Sequence, residues 1–167
     1  MSSSLKAAVL MGSISDLPKI QGCVDTLKKL GVETVVRVMS AHRTPELVAE
    51  FTEAAEAQGF GVIIAAAGGA AHLAGAVAAH TLLPVIGIPV EGGALHGMDA
   101  LLATVQMPGG IPVATVGVGS GGATNAGLLA AQILSLADPE LRKRLREDRQ
   151  KRKEKVLAAD NELQASL

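Results

Sequence analysis

The sequence predicts a three-layer α/β fold, in which a five-stranded parallel sheet has helices on both faces and a charged helix follows at the C-terminus. Short apolar runs without polar alternation, such as residues 7–11 and 61–67, are typical of strands covered on both faces. A helical pattern follows each run, and this alternation indicates a parallel sheet. The 167 residues fit a single domain, 1–167, with its core at about 5–137 and the charged helix at about 139–159.

Helix-start residues follow the first two predicted strands. Ser15 or Asp16 is expected to cap the first helix, with Pro18 in its first turn and Gly31 at its end. Thr44 is expected to cap the second helix. The other elements predicted in this half are strands at 7–11 and 32–39 and a helix at 45–58.

The same alternation continues in the second half of the chain. Strands are predicted at 61–67, 84–90 and 111–118, and helices at 70–80, 99–106 and 124–136. A flexible glycine-rich loop is expected at 119–122, before the last of these helices. Asp138 and Pro139 begin the charged helix. A parallel sheet of this size favours the flavodoxin-like strand order 2-1-3-4-5.

Composition limits both the core and the partners of this chain. Hydrophobic residues make up 49% of the sequence and aromatic residues 1%, so the core must consist of small aliphatic side chains. Such side chains limit the area that one subunit buries, which favours a homo-oligomer. The net charge of -1 gives no general attraction to nucleic acid. Cys23 is the single cysteine, which excludes a disulfide framework and fits a reducing cytoplasm.

Two stretches suggest other partners, and neither prediction is favoured. Residues 57–90 lack Asp, Glu, Lys and Arg, and about 20 apolar residues suffice to span a membrane. Gly68, Gly69 and Pro84 interrupt this stretch, so we expect strands, a turn and a packed helix instead of a span. Most Lys and Arg residues fall in 140–155, but acidic residues alternate with them, which favours a solvated or intersubunit helix over a nucleic-acid-binding arm. Residues 1–6 are short and polar, so we expect no signal peptide there.

Polar residues follow the predicted strands at the edge where ligands of parallel sheets bind. The loops at this edge are residues 12–16, 40–45, 67–72 and 91–97. Ser13, Ser40 and Arg43 lie in loops that lead into helices, where free N–H groups and the helix dipole favour a phosphate. Asp16 would repel a phosphate and suits ribose hydroxyls. The sequence therefore predicts a sugar phosphate or nucleotide as ligand, although each residue could alternatively serve only as a cap, a turn or a surface charge.

The histidines are the candidates for proton transfer. His42 lies in the second loop and can exchange a proton near neutral pH. His72 follows the third strand, where a substrate contact and a structural role are equally open. His80 is expected at a helix C-terminus and His96 at the rim of the pocket. Because neither metal-ligand spacing nor clustered carboxylates accompany these histidines, we expect no metal.

Several segments resemble the N5-carboxyaminoimidazole ribonucleotide mutase family of purine biosynthesis. They are MGSISD at 11–16, SAHRTP at 40–45, AGGAAHL at 67–73, VQMPGG at 105–110 and TNAGLLAAQIL at 124–134. The resemblance implies an isomerase without cofactor that moves a carboxylate from the exocyclic nitrogen of aminoimidazole to ring carbon 4. It also implies a homo-octamer, and a separate ATP-dependent synthetase that makes the carbamate and could hand it over.

The resemblance assigns a role to each loop. His42 becomes the acid and base that moves the proton, and Ser13, Ser40 and Arg43 become the phosphate ligands. Asp16 becomes the ribose ligand. The walls around the base fall on Ala67, Gly68, Gly69, His72 and Leu73.

The main alternatives are a sister class that carboxylates aminoimidazole ribonucleotide with free CO2, and a flavodoxin-like binding or signalling domain. The sister class is similar overall but has Lys after the His of the second loop, where this chain has Arg43. A receiver domain would need acidic residues after the first and third strands, and a flavin carrier would usually need aromatic residues that stack on the ring. The chain departs from the mutase pattern at Ile14, Ala74 and Ser120, where Asp, Pro and Lys are common.

Overall fold

The computed structural model describes residues 5–167, and within that range five parallel strands form one sheet in the order β2-β1-β3-β4-β5. The strands are β1 (Lys6–Met11), β2 (Thr34–Val38), β3 (Phe60–Gly68), β4 (Val85–Val90) and β5 (Ala114–Thr115). The helices are α1 (Leu17–Lys29), α2 (Pro45–Ala55), α3 (Leu73–Ala78), α4 (Met98–Val105), α5 (Ser120–Leu134) and α6 (Pro139–Ser166). The predicted fold class and strand order are confirmed.

Alternation along the central strands divides the core between the two faces of the sheet. In β1, Ala7 and Val9 pack with α1 and α5, whereas Ala8 and Leu10 pack with α2 and α3. Because every residue of β1 from Ala7 onward is buried, the strand has no polar face. Helices therefore cover both faces of the sheet.

The prediction of a long fifth strand was wrong. Only Ala114 and Thr115 pair with β4, opposite Ile86 and Gly87, instead of the predicted residues 111–118. Pro112 lacks the N–H that a sheet ladder needs, so regular pairing cannot extend through it. The predicted flexible loop at 119–122 was also wrong, because α5 already begins at Ser120.

Helix ends differ from the prediction in both directions. The third helix spans only Leu73–Ala78, which is shorter than the predicted 70–80. The charged helix continues to Ser166 instead of ending near 159. Its last turns contain Ala, Leu, Glu and Gln, which are good helix formers. In the described chain, Asp16 and Thr44 occupy N-cap positions without making a capping bond through their side chains. Instead, the Ser13 hydroxyl accepts from the Ser15 N–H at the start of a short 3₁₀ turn, Ile14–Asp16.

The C-terminal helix is attached to the domain at its first half. Asp138 caps it by accepting a hydrogen bond from the Leu141 N–H at 2.9 Å. Further along, the buried carboxylate of Asp148 pairs with Lys29 of α1 at 2.5 Å and with Arg152 at 2.6 Å. From residue 149 to the end of the chain, every residue is exposed. Among residues 5–167, no helix is both long enough and apolar enough to cross a bilayer.

Glycines allow α1 and α5 to pack closely. A Cβ atom added at Gly127 would lie 2.8 Å from the carbonyl oxygen of Cys23, and one added at Gly22 would lie 2.9 Å from the Thr124 hydroxyl. Real Cβ atoms do not approach other atoms so closely without a shift. At these two glycines the backbone of one helix therefore packs directly against the backbone or a threonine side chain of the other.

We predict that Gly127→Ala destabilises the domain, whereas Gly121→Ala in the same helix does not. The Gly127 methyl group would press on the α1 backbone, and such overpacking costs about 1–3 kcal/mol. Apart from its chain neighbours and the nearby backbone of its own helix, no described heavy atom lies within 4 Å of a Cβ added at Gly121, so Ala there should add about 0.5–1 kcal/mol through helix propensity. Chemical denaturation measures the free energy of unfolding of each variant. Equal changes in the two variants would contradict the close contact of Gly127 with the α1 backbone.

We predict that the Asp148 ion pairs stabilise the domain fully above about pH 4 and lose this effect as the pH falls further. Burial raises the pKa of this carboxyl, but the hydrogen bonds from Lys29 and Arg152 outweigh it and hold the pKa below its usual value. A lowered pKa gives stability that is present above the unfolded value and is lost as the pH falls through the folded one. Asp148→Asn should therefore cost about 1–3 kcal/mol at pH 7 and much less near pH 3, measured by denaturant unfolding at each pH.

Candidate active site

A cleft of about 530 Å³ lies at the carboxyl ends of β1, β3 and β4. Its walls are the loops that follow these strands and the loop between β2 and α2, as the sequence predicted for a parallel sheet. All the predicted site residues line it: Ser13, Asp16, Ser40, His42, Arg43, Ala67, Gly68, Gly69, His72 and Leu73. The fold therefore brings together residues up to 60 positions apart in the sequence, and their individual roles stay predictions.

Ser40 and Arg43 organise the loop between β2 and α2. The Ser40 hydroxyl accepts hydrogen bonds from the backbone N–H groups of His42 and Arg43 at 3.3 and 3.2 Å. The Arg43 guanidinium donates to the Gly12 carbonyl at 2.7 Å, which ties this loop to the end of β1. Ser13 lies on the same wall and accepts from the Ser15 hydroxyl at 2.9 Å. Hydroxyl groups, backbone N–H groups and a guanidinium thus face one end of the cleft, a set that suits a phosphate.

Asp16 is the acidic group at this end of the cleft. Desolvation by partial burial raises the pKa of its carboxyl, although Lys19, the Ser13 backbone and Arg43 oppose the shift. A carboxylate beside phosphate ligands would repel a phosphate but accepts hydrogen bonds from hydroxyl groups. The position of Asp16 therefore suits the ribose of a sugar phosphate.

His42 and His72 meet across the cleft. Nε2 of His42 lies 2.7 Å from Nδ1 of His72, and the ring planes stand at 83°. A hydrogen bond between two ring nitrogens needs one N–H and one lone pair, so these two atoms share one proton between them. Either ring can therefore be the donor. His72 therefore lies in the cleft beside His42, and its contact with a substrate stays a prediction.

Glycines set the spacing of the loops near the histidines. A Cβ added at Gly68 would lie 3.1 Å from the Val90 carbonyl, so a side chain there would push β3 and β4 apart. Gly69 adopts a φ of 62°, in the left-handed region that favours glycine. The backbone of 67–69 can thus approach a ligand closely.

Sequence reasoning missed several residues of the cleft. Lys19 of α1 lines it and donates to the Glu91 carbonyl at 2.6 Å, which joins α1 to the loop after β4. Asp99 lines it from the first turn of α4. The glycine-rich loop at 91–97 was predicted to reach this edge, so an acidic residue directly after it was a signal that could have been used. Lys19 follows Asp16 by three residues, a helical spacing that could have placed both side chains on the same side of α1.

The other two histidines and the departures from the family pattern lie elsewhere. His80 pairs with Glu53 at 3.1 Å, and His96 lines a neighbouring cavity of about 370 Å³ together with Ser120. The Ile14 side chain is exposed and Ala74 is buried in α3. Among the residues from Leu5 to Leu167, no cluster of three or more His, Cys, Asp or Glu is arranged to hold a metal ion.

A family comparison covers the whole cleft. The sequence model described as AIR carboxylase matches residues 6–155, which include all the loops that line the cleft. The chain belongs to the AIR carboxylase family. The family resemblance predicted from the loop motifs is therefore confirmed.

Individual members of the AIR carboxylase family are similar over nearly their full length. The N5-carboxyaminoimidazole ribonucleotide mutase of Bacillus subtilis is 53% identical over 155 residues, which cover 93% of this chain and 96% of that protein. The Escherichia coli K12 protein of the same name is 51% identical over 152 residues, or 91% of this chain and 90% of that protein. The crystal structure of Treponema denticola PurE has a TM-score of 0.83 at 30% identity, covering 94% of this chain and 97% of that one.

We predict that Arg43→Ala weakens binding of ribose 5-phosphate by about tenfold or more, because it removes a charge-assisted contact with the phosphate and the tie to Gly12. Isothermal titration calorimetry measures this affinity. Lys28→Ala is the matched control, since it removes an exposed cation in the last turn of α1. Equal losses in both variants would mean that Arg43 acts only through the overall charge of the protein.

Proposed function

We propose that this chain is an N5-carboxyaminoimidazole ribonucleotide mutase, an isomerase of purine biosynthesis. It converts N5-carboxyaminoimidazole ribonucleotide into 4-carboxy-5-aminoimidazole ribonucleotide. The observation that supports this most directly is the His42–His72 contact, 2.7 Å long, between loops that lie within the family match. Mutases about 50% identical to this chain, from Bacillus subtilis and Escherichia coli, support the same reaction.

Each part of the substrate has matching groups in the cleft. The phosphate binds Ser13, Ser40 and Arg43, where donors converge. The ribose hydroxyls donate to Asp16. The imidazole ring lies against the small residues that follow β3, with His42 and His72 beside it. The residues that form this wall are Ala67, Gly68, Gly69, His72 and Leu73.

In the proposed reaction, a single histidine donates one proton and later takes one back. Protonated His42 gives its proton to the exocyclic nitrogen while the N–C bond of the carbamate breaks, and CO2 is released in the cleft. Carbon 4 of the ring then attacks CO2 and forms a C–C bond. His42 takes the proton that carbon 4 loses, so the net change is one carboxylate and one proton exchanged between the two positions. His72 can donate to His42 or accept from it, which suits a residue that acts as acid and base in turn.

Retention of CO2 requires a site that excludes water. In a single chain His42, Arg43 and His72 are exposed, so closure must come from the bound substrate or from neighbouring subunits. Exposed apolar side chains favour self-association, since Leu82 is 99% exposed and Leu136 is 78% exposed. The protein therefore acts as a homo-oligomer, an octamer as the family resemblance implies.

The remaining features of the proposal follow from the reaction. Decarboxylation of a carbamate and recapture of CO2 need no redox step and no phosphoryl transfer, so no ATP is required, and the family resemblance implies that neither a metal nor an organic cofactor takes part. The reaction takes place in the cytoplasm. The carbamate is labile, so a transient handover from the ATP-dependent synthetase that forms it is part of the proposal.

We predict that His42→Asn lowers kcat by about 10²–10⁴-fold, because the variant cannot move the proton. A coupled ultraviolet assay with freshly generated carbamate, run with chelator and without ATP, measures the rate. His80→Asn is the control, because His80 is also exposed and pairs with Glu53 outside the cleft. Full wild-type activity in the His42 variant would contradict the assigned role.

The same assay separates the mutase from the direct carboxylase. A mutase should turn over the carbamate quickly and should be slow with aminoimidazole ribonucleotide and bicarbonate-derived CO2. The reverse preference would favour the sister class. Loss of wild-type activity in chelator would overturn the cofactor-free reaction.

A further inference from the structure

Lys19 is a cation at an unfavourable place in its helix. It is the third residue of α1, whereas the other two lysines of this helix, Lys28 and Lys29, lie in the last turn. The helix macrodipole favours cations near the C-terminus and disfavours them near the N-terminus. The stability of α1 therefore accounts for Lys28 and Lys29 but not for Lys19.

One hydrogen bond holds the Lys19 ammonium group at the end of β4. Its Nζ atom donates to the Glu91 carbonyl at 2.6 Å. Glu91 directly follows Val90, the last residue of β4, and Val90 pairs with Gly68 of β3. Because Gly68 belongs to the wall proposed for the imidazole ring, the ammonium group lies close to that wall.

Asp16 is the neighbour of Lys19 on the other side. Asp16 occupies the N-cap position of α1 and Lys19 the N3 position, and side chains at these two positions lie next to each other. Burial raises the pKa of the Asp16 carboxyl, and Lys19 opposes this rise more strongly than Arg43 does. In the part of the chain that the structure describes, Asp16 and Lys19 nevertheless form no ion pair. The two charges therefore lie near each other in the cleft without direct contact.

The Lys19 ammonium group has donors to spare. A lysine ammonium carries three N–H groups, and among residues 5–167 its one acceptor is the Glu91 carbonyl. Lys19 is exposed and lines the cleft, so a ligand can reach the remaining N–H groups. Because the Glu91 contact already orders this long side chain, a ligand that binds there loses little affinity to side-chain ordering.

A carboxylate beside an ammonium group suits a ligand group that both donates and accepts. A hydroxyl group meets this need, since its O–H can donate to Asp16 while a lone pair accepts from Lys19. A phosphate can only accept, and Asp16 would repel it. The ribose connects the phosphate to the imidazole ring, so its hydroxyl groups belong between the phosphate donors and the wall at Gly68.

We propose that Lys19 is a further substrate-binding residue, which donates a hydrogen bond to a ribose hydroxyl group whose own proton Asp16 accepts. The inference rests on the proposed function, from which it takes the ribose contact of Asp16. Lys19 makes and breaks no covalent bond. The two residues hold the ribose, and with it the ring, in one position relative to His42, and they discriminate against ligands that lack the hydroxyl group.

Two ligands with the same phosphate group test this contact. Methyl ribofuranoside 5-phosphate has the 2- and 3-hydroxyl groups, whereas tetrahydrofurfuryl phosphate keeps the five-membered ring and the phosphate but has no hydroxyl group. Isothermal titration calorimetry measures the binding of each ligand to the assembled wild type, Lys19→Met and Lys28→Met. Methionine keeps an apolar side chain of similar length without the ammonium group. Lys28→Met is the control, because it removes an exposed charge from the other end of the same helix.

We expect Lys19→Met to weaken binding of the riboside phosphate by about tenfold or more and binding of tetrahydrofurfuryl phosphate by less than about twofold. The reason is that the riboside alone has the hydroxyl group that the ammonium contacts. Lys28→Met should change either affinity by less than about twofold. Lys19→Arg should lie between the wild type and Lys19→Met, since a guanidinium still donates but with a different shape.

Other results would overturn the inference. An equal loss for both ligands in Lys19→Met would show that Lys19 acts on the phosphate or only holds the loop after β4. Unchanged affinity for both ligands would show that it does not touch the ligand, and equal affinity of the wild type for the two ligands would show that no hydroxyl group is bound. If the wild type prefers the riboside phosphate but does not turn over the carbamate, the proposed function fails while the ligand comparison still decides the role of Lys19.

Discussion

Burial of the sheet on both faces is the constraint on which the rest of this structure depends. β1, β3 and β4 are buried along nearly their whole length, and these strands consist mostly of Ala, Val and Ile. Polar chemistry therefore has no place on either face and is confined to the loops at the ends of the strands. Small residues also permit close packing between elements, as between α1 and α5 at Gly127. This close packing brings the loops together around one cleft.

The cleft is held by contacts between loops, not by deep burial. Arg43 connects the loop after β2 to the end of β1, and Lys19 connects α1 to the loop after β4. The His42–His72 contact joins the loop after β2 to the segment after β3. Residues on separate strand ends thus form one connected set, in which each loop fixes the position of the next.

The fold and most of the cleft could be predicted from sequence because they follow from local patterns. Buried runs such as 61–67 and helix-start residues such as Pro45 identify elements directly, and parallel topology then places the loops at one edge. The end of β5 could not be predicted, since Val113 and Val116 look like strand residues although sheet pairing near Pro112 stops early. Lys19 and Asp99 were missed because their places on the cleft wall depend on how α1 and α4 dock, which is a tertiary property. The tautomeric coupling of His42 and His72 likewise depends on a distance that no spacing in the sequence reveals.

The length of α6 has a consequence for how the size of this protein must be measured. A helix of 28 residues extends for about 42 Å at 1.5 Å per residue, whereas the radius of gyration of a compact chain of this length is about 15 Å. Since the helix is exposed from residue 149 onward, its outer half increases hydrodynamic drag without adding comparable mass. Gel filtration will therefore overstate the mass of a single subunit, and only a method that weighs the particle, such as light scattering or native mass spectrometry, will count subunits correctly.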